Sequence, residues 1–256
     1  MADFGIYGAT GRVGKLLSEQ LAKNADHKLA SVYVRKELDF SLPAQTLVTN
    51  DVATFLKSSD IVIDFTSPGG TEVLLEAAMA GNPTPLVIGT TGLETHQQNL
   101  MKQAAEKMPI LYATNMSLGV ALLNKLVFMA AKALPDFDIE IVEMHHKHKK
   151  DAPSGTALTL AATAAKGRDL ELDKVRVSGR NGQIGERTAD EIGVLALRGG
   201  DIVGEHTVGY YGDGEHIRLT HTATSRATFA VGAIKAGHWL MQQPNGLYSI
   251  QDYFQL

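Results

Sequence analysis

GIYGATGRVG, residues 5–14, closes a short apolar run and places glycines at positions 8, 11 and 14 ahead of the helical pattern GKLLSEQLAK. A strand, a glycine loop and a helix in that order predict a nucleotide loop. Small residues let a pyrophosphate approach the backbone, and the helix N-terminus offers unpaired N–H groups at the positive end of its dipole. The spacing departs from G-x-G-x-x-G, because Thr10 stands where the middle glycine is expected. On its own such a loop also serves as a tight turn with close helix packing.

The surrounding chain repeats the alternation up to about residue 135: LASVYVR, DIVIDF then TEVLLEAAMAG, PLVIG then THQQNLMKQAAEK, and ILYA then LGVALLNKLVFMAAKAL. Strands alternating with helices predict a parallel sheet. Its polar turns, GATG, FTSPGG, GTTG and ATNMS, would line the crevice where open parallel sheets bind ligands. After Pro135 the texture changes. FDIEI alternates apolar and polar residues, and VRVSG, GVLALRGGDIVGEHTVGYYG and HIRLTHTA are strand-like with glycine turns, which predicts a second domain on a mixed or antiparallel sheet. The tail ATFAVGAIKAGHWLMQQ returns to a helical pattern, and GLYSIQDYF is a short closing segment. The expected fold is α/β: a Rossmann-like parallel-sheet nucleotide domain of residues 1–116 and 227–256, and a second α+β domain of residues 117–226.

At the end of the second strand, where a dinucleotide site usually carries an acid for the ribose hydroxyls, the chain has Arg35 and Lys36 with Glu37 behind them. A basic pair there suits the 2′-phosphate of NADPH, and Glu37 leaves NADH open.

EMHHKHKKDAPSGTAL, residues 143–158, places three histidines and three lysines in six consecutive positions. A polar surface loop is one reading. A metal site is another, but the interleaved lysines would repel a cation and Asp151 is the sole nearby carboxylate supplement. The third is an anion-binding acid–base site, since histidine and lysine both donate protons and hold carboxylates. Ser154 or Thr156 is placed to cap the helical run ALTLAATAAK, whose first N–H groups can receive a carboxylate. Cations followed at once by a helix N-terminus favour an anionic small-molecule substrate.

GATGRVG, DFTSPGGT, GTTG, ATNMSLGV, HHKHKKDAPSGTAL, RGGDIVGEHTV and SRATFAVGA, in this order, resemble the 4-hydroxy-tetrahydrodipicolinate reductase family of the lysine/diaminopimelate pathway. The resemblance runs nearly end to end; HHKHKKDAPSGTAL is its most specific part. It implies NADPH- or NADH-dependent reduction of a cyclic, imine-containing dicarboxylate with loss of water. Gly8, Ala9, Thr10, Gly11, Arg12 and Val13 would hold the pyrophosphate. Gly89, Thr90, Thr91, Ala113, Thr114, Asn115 and Met116 would border the nicotinamide. His145 and Lys149 would form the acid–base pair, with His146, Ser154, Gly155 and Thr156 at the substrate. It also implies a homotetramer, and a second domain that brings substrate to cofactor as the domains close. Many members carry an acid at the end of the second strand, where this chain has Val34 before Arg35.

The totals agree. Among 256 residues, 24 basic and 28 acidic side chains give a net charge of −4, so no basic field exists for nucleic acid or an anionic membrane. The absence of cysteine removes thiol nucleophiles, and with them an aldehyde dehydrogenase of the semialdehyde type. A pyridine-nucleotide-sensing regulator would not need the histidine–lysine run. MADFGIYG lacks the features of a signal peptide, so a soluble cytoplasmic protein is expected.

Overall fold

The computed structural model describes residues 1–254. The chain divides into two compact units, Met1–Leu118 with the segment from Ala227 onward, and Gly119–Arg226. The first begins β1 (Ala2–Tyr7), α1 (Arg12–Ala22), β2 (His27–Tyr33), β3 (Leu47–Thr49), α2 (Val52–Lys57) and β4 (Ile61–Asp64), then α3 (Pro68–Ala80), β5 (Leu86–Ile88), α4 (Thr95–Ala105) and β6 (Pro109–Tyr112). The second holds α5 (Leu118–Ala133), β7 (Asp138–His145), α6 (Gly155–Gly167), α7 (Leu172–Val175), β8 (Arg176–Val177), β9 (Ile192–Arg198), β10 (Gly204–Gly212) and β11 (Glu215–Ala223). The chain then returns to the first unit with α8 (Ala227–Leu240) and β12 (Gly246–Ser249).

The first sheet runs β12-β6-β5-β4-β1-β2-β3, with every pairing parallel. β4 and β5 are buried at every residue, as strands covered on both faces must be, which explains their unbroken apolar runs. Tyr7, Phe55, Leu74, Leu75, Ile88 and Met101 belong to one apolar core, and α8 packs against α1 and against β4, β5 and β6. The strand order reverses between β1 and β4, so the crevice at their carboxyl ends is the place this topology offers a ligand. β3 and α2 were not expected from sequence. β3 is three residues long and barely buried, so it has no apolar signature.

The second sheet runs β11-β10-β7-β9-β8 and is mixed: β10 is antiparallel to both neighbours, whereas β7–β9 and β8–β9 are parallel. β7 alternates without error between half-buried and buried residues. Ile139 and Ile141 join Val127, Leu160, Ala164 and Tyr210 in a core under α5 and α6, and the Tyr210 hydroxyl donates to the Val127 carbonyl at 2.7 Å. Of VRVSG only Arg176 and Val177 form a strand.

The glycine loop separates into positions with different demands. Gly8 has φ +95°, which a side chain resists. A Cβ on Gly14 would lie 2.3 Å from the Gly8 carbonyl oxygen and 2.7 Å from the Ala9 Cα, both backbone, whereas one on Gly11 would sit 3.3 Å from the same oxygen. Gly11 has an extended backbone and precedes the helix as its N-cap. Gly14 therefore closes the helix–strand contact, and Gly11 keeps the helix mouth clear. Gly14→Ala should cost about 1–3 kcal/mol of stability, the usual overpacking penalty, and lower Tm by roughly 2–4 °C per kcal/mol. Gly11→Val should leave the circular dichroism melt nearly unchanged but abolish nucleotide binding by calorimetry. A Gly11→Val protein that binds normally would remove the loop from the cofactor site.

Candidate functional site

In the first unit the turns after β1, β4, β5 and β6 surround a cavity of about 410 Å³. It brings together Arg12, Val13, Gly89, Thr90, Thr91, Thr114, Asn115 and Met116 with Phe65, Thr66 and Phe229. Ala113 is not among the lining residues; its N–H donates to the Ile88 carbonyl and ties β6 to β5. Ala9 is fully buried, so only its backbone can face a ligand. The N-terminus of α1 has no side-chain cap and no acidic residue in its first turn, which suits it to an anion. Gly8, the tight Gly14 contact and that helix end make a cradle that fits a dinucleotide pyrophosphate.

Beneath the cavity lies a carboxylate that sequence reading missed. Asp64 ends β4 with no exposure. It accepts hydrogen bonds from the hydroxyls of Thr66 at 2.6 Å, Thr71 at 2.5 Å and Thr90 at 3.1 Å, and from the Thr66 N–H at 3.0 Å. Burial pushes its pKa up against the pull of these donors. The Thr90 hydroxyl is thereby committed to Asp64 and to the Thr66 N–H, so Thr90 meets the cavity as a fixed wall. The available signal was an acid at a position where the whole strand is apolar.

Arg35 lies elsewhere. It is exposed, on a separate shallow concavity of about 680 Å³ formed by Val34–Leu38 and Val48–Asn50, past the end of β2.

In the second unit β7 runs Ile139, Ile141, Glu143, His145 along its buried face. The alternation that buries two isoleucines thus buries an acid and an imidazole. Glu143 has no exposure and gathers four donors: His145 Nδ1 at 2.6 Å, Arg198 Nη1 at 2.8 Å and Nη2 at 2.7 Å, and the Ser154 N–H at 2.9 Å. Burial pushes the carboxyl up, but Arg198, His145 and Ser154 outweigh it and hold Glu143 below the ordinary carboxylate range. Register explains the meeting, since His206 of β10 lies opposite Glu143, and Arg198 of β9 lies beside His145.

Ser154 caps α6, its hydroxyl accepting from the Ala157 N–H at 3.2 Å and lying 3.0 Å from His206 Nε2. The hydroxyl is buried and already engaged, so Ser154 positions the helix end and does not itself reach a ligand. Gly155 and Thr156 present the first helical N–H groups. Lys149 Nζ stands 2.9 Å from Asp151 Oδ1. His146 Nε2 lies 3.3 Å from Arg226 Nη2; because arginine only donates, the His146 proton is on Nδ1, a buried atom with no partner. Desolvation and the Arg226 cation hold His146 below its usual range. Glu143, Arg198, His206 and Arg226 were absent from the residues singled out in sequence.

His206 is 4% exposed, and burial together with neighbouring His145 lowers its pKa from 6.5 to about 4. Between these values the unfolded chain takes up a proton that the folded chain refuses, so stability must fall as pH drops from 6.5 to 4, by on the order of 3 kcal/mol from this group. Glu143 adds to the loss once pH falls through its lowered range. Denaturant melts of His206→Gln should show a shallower decline over this window; an unchanged slope would mean that His206 is not buried neutral.

Residues 3–116 match the N-terminal sequence profile, and residues 119–254 the C-terminal profile, of dihydrodipicolinate reductase. The chain is 65% identical to the 4-hydroxy-tetrahydrodipicolinate reductase of Wolinella succinogenes over 98% of both chains, and 65% identical to that of Sulfurimonas denitrificans over the full length of both. A solved dihydrodipicolinate reductase of a Paenisporosarcina species with dipicolinate bound superposes with a TM-score of 0.83 at 25% identity, over 98% of this chain and 99% of that one. A Corynebacterium glutamicum diaminopimelate dehydrogenase shares the fold, at a TM-score of 0.59 and 14% identity. Among the described residues no helix is long and apolar enough to cross a membrane. With these relatives over its whole length, the chain belongs to the dihydrodipicolinate reductase family, NAD(P)H-dependent oxidoreductases of lysine and diaminopimelate biosynthesis.

Proposed function

We propose that the first unit holds the reduced nicotinamide cofactor and that the strand–loop–helix from Glu143 to Thr156 holds and protonates 4-hydroxy-tetrahydrodipicolinate. The observation that carries this reading is that Glu143 joins the His145 imidazole to the N-terminus of α6, with Lys149 in the loop between them.

Residues 8–13 receive the pyrophosphate at the uncapped end of α1, and the cavity lined by Gly89–Thr91 and Thr114–Met116 borders the nicotinamide. Arg35 and Lys36, exposed past β2, pair with a 2′-phosphate, so NADPH serves at least as well as NADH. Bound cofactor supplies the hydride. The Gly155 and Thr156 N–H groups take one substrate carboxylate. The Arg226 guanidinium, beside His146, takes the other. Once the 4-hydroxyl has left as water, hydride adds to the far carbon of the resulting C=C–C=N system, electron density moves through the ring to the nitrogen, and the carbon next to the imine carbon must be protonated. His145 delivers that proton, while the Lys149 ammonium stabilises developing negative charge.

The face of the second sheet not covered by α5 and α6 pairs Val142 with Leu195 and Met144 with Leu197, and Leu197 is 48% exposed. An apolar stripe on a sheet face supports self-association into the homotetramer. A cytoplasmic location fits the lack of cysteine.

The direct test mixes purified chain with enzymatically generated substrate and follows oxidation of NADPH or NADH by absorbance. His145→Gln should lower kcat roughly 10²- to 10⁴-fold with a modest change in KM, the usual worth of a general acid. Lys149→Ala should raise KM as well, through loss of a charge-assisted contact worth about 1.5–3 kcal/mol. Near wild-type kcat/KM in both variants would remove this segment from the active site.

A further inference from the structure

We propose that Glu143, clamped by Arg198, is the positioning residue that fixes His145 as its Nδ1–H tautomer, so that Nε2 alone exchanges the proton, and that Gly204 keeps the approach to Nε2 open. The proposal rests on the reading of His145 as proton donor.

A neutral imidazole carries its proton on either nitrogen, and an acid that must reload from water after each turnover needs the same nitrogen presented every time. Glu143 Oε2 lies 2.6 Å from Nδ1, and a carboxylate kept ionised can only accept there. Arg198 keeps it ionised, with one guanidinium nitrogen on each carboxylate oxygen at 2.8 and 2.7 Å. The arginine is anchored in turn, its Nη2 donating to the Asp151 carbonyl at 2.6 Å. The fourth donor, the Ser154 N–H, occupies Oε1, so the carboxylate cannot rotate without giving up the cap of α6. The other titratable groups near the imidazole include His206 on β10, its ring 5.1 Å from that of His145, the adjacent His146, and Lys149, paired with Asp151 in the loop after β7. Burial holds His206 neutral near pH 7, and Lys149 can only donate. None competes with Glu143 as an anionic acceptor.

The other side of the ring is as constrained. A Cβ on Gly204 would lie 2.9 Å from His145 Nε2 and 3.3 Å from Cδ2. Gly204 does not have a positive φ, so its backbone does not require glycine. What an added methyl would obstruct is Nε2. In the transfer, the Nε2–H bond of the imidazolium breaks and leaves its electron pair on Nε2 as the ring carbon of the reduced substrate forms its C–H bond; the neutral Nδ1–H tautomer remains, hydrogen-bonded to Glu143, and Nε2 takes its next proton from water.

Nitrogen-15 NMR of the histidine-labelled full-length protein, with the His145 signals assigned by their loss in His145→Gln, reads the tautomer directly at alkaline pH. The wild type should show a protonated Nδ1 and a bare Nε2; a protonated Nε2 overturns the proposal whether or not any variant folds. Glu143→Gln should give mixed tautomers and a kcat lowered by up to about 10⁴-fold, the loss seen when the orienting carboxylate of a catalytic histidine is made an amide, with substrate KM within about threefold. Gly204→Ala should lower kcat at least about tenfold with the Nδ1–H tautomer retained, because it shields Nε2 without touching Glu143. If Glu143→Gln keeps both the tautomer and kcat while His145→Gln is inactive, His145 is the acid and Glu143 does not position it. If Glu143→Gln mixes the tautomers while His145→Gln turns over normally, the positioning by Glu143 stands and the role given to His145 falls.

Discussion

A carboxylate buried without any exposure, Glu143, holds the second unit together at its functional end. Taking such a charge out of water costs several kcal/mol unless its lone pairs are met. Here they are met by a guanidinium from β9, an imidazole two residues along β7 and the backbone N–H that begins α6. One atom group therefore sets the ring plane of His145, the place of the α6 N-terminus and the pairing of β7 with β9. Removing any donor would leave an undercompensated buried charge, a loss of about 3–5 kcal/mol for the arginine. The same geometry that is costly for folding holds an imidazole in place beside a helix N-terminus.

Asp64 in the first unit offers a contrast in the same physical terms. It too is fully buried, at the end of β4, but its hydrogen-bond partners are three threonine hydroxyls and an N–H. Without a cation its pKa is pushed up by burial, whereas that of Glu143, with Arg198, is held down. The first arrangement shapes a wall: it fixes Thr66 and Thr90, which line the cavity over β4 and β5. The second maintains an ionised acceptor where proton chemistry needs one.

The architecture was largely legible because its periods are strong. The unbroken apolar runs of DIVIDF and PLVIG and the alternation in FDIEI predicted a parallel sheet and a mixed sheet, and both are present. Of the residues gathered from GTTG and ATNMS, Gly89, Thr90, Thr91, Thr114, Asn115 and Met116 line one cavity with Arg12 and Val13, and Ala113 does not. What escaped reading depends on register. Glu143 sits inside the same alternation as Ile139 and Ile141, yet its partner Arg198 is 55 residues away. His206 becomes its neighbour only through antiparallel pairing of β10. Ser154 was read as a cap or a carboxylate contact; burial of its hydroxyl leaves the cap. The glycine loop showed where the backbone is tight but not which glycine bears it, since that depends on how α1 descends onto Gly8 and Ala9.

The most direct measurement is a crystal structure of the protein with NADPH and pyridine-2,6-dicarboxylate, a planar relative of the substrate. One carboxylate should lie on the Gly155 and Thr156 N–H groups, the second on Arg226 beside His146, and the ring within reach of His145 Nε2, with Glu143 still on Nδ1. A dianion bound away from the N-terminus of α6, or His145 turned so that Nε2 faces Glu143, would contradict it.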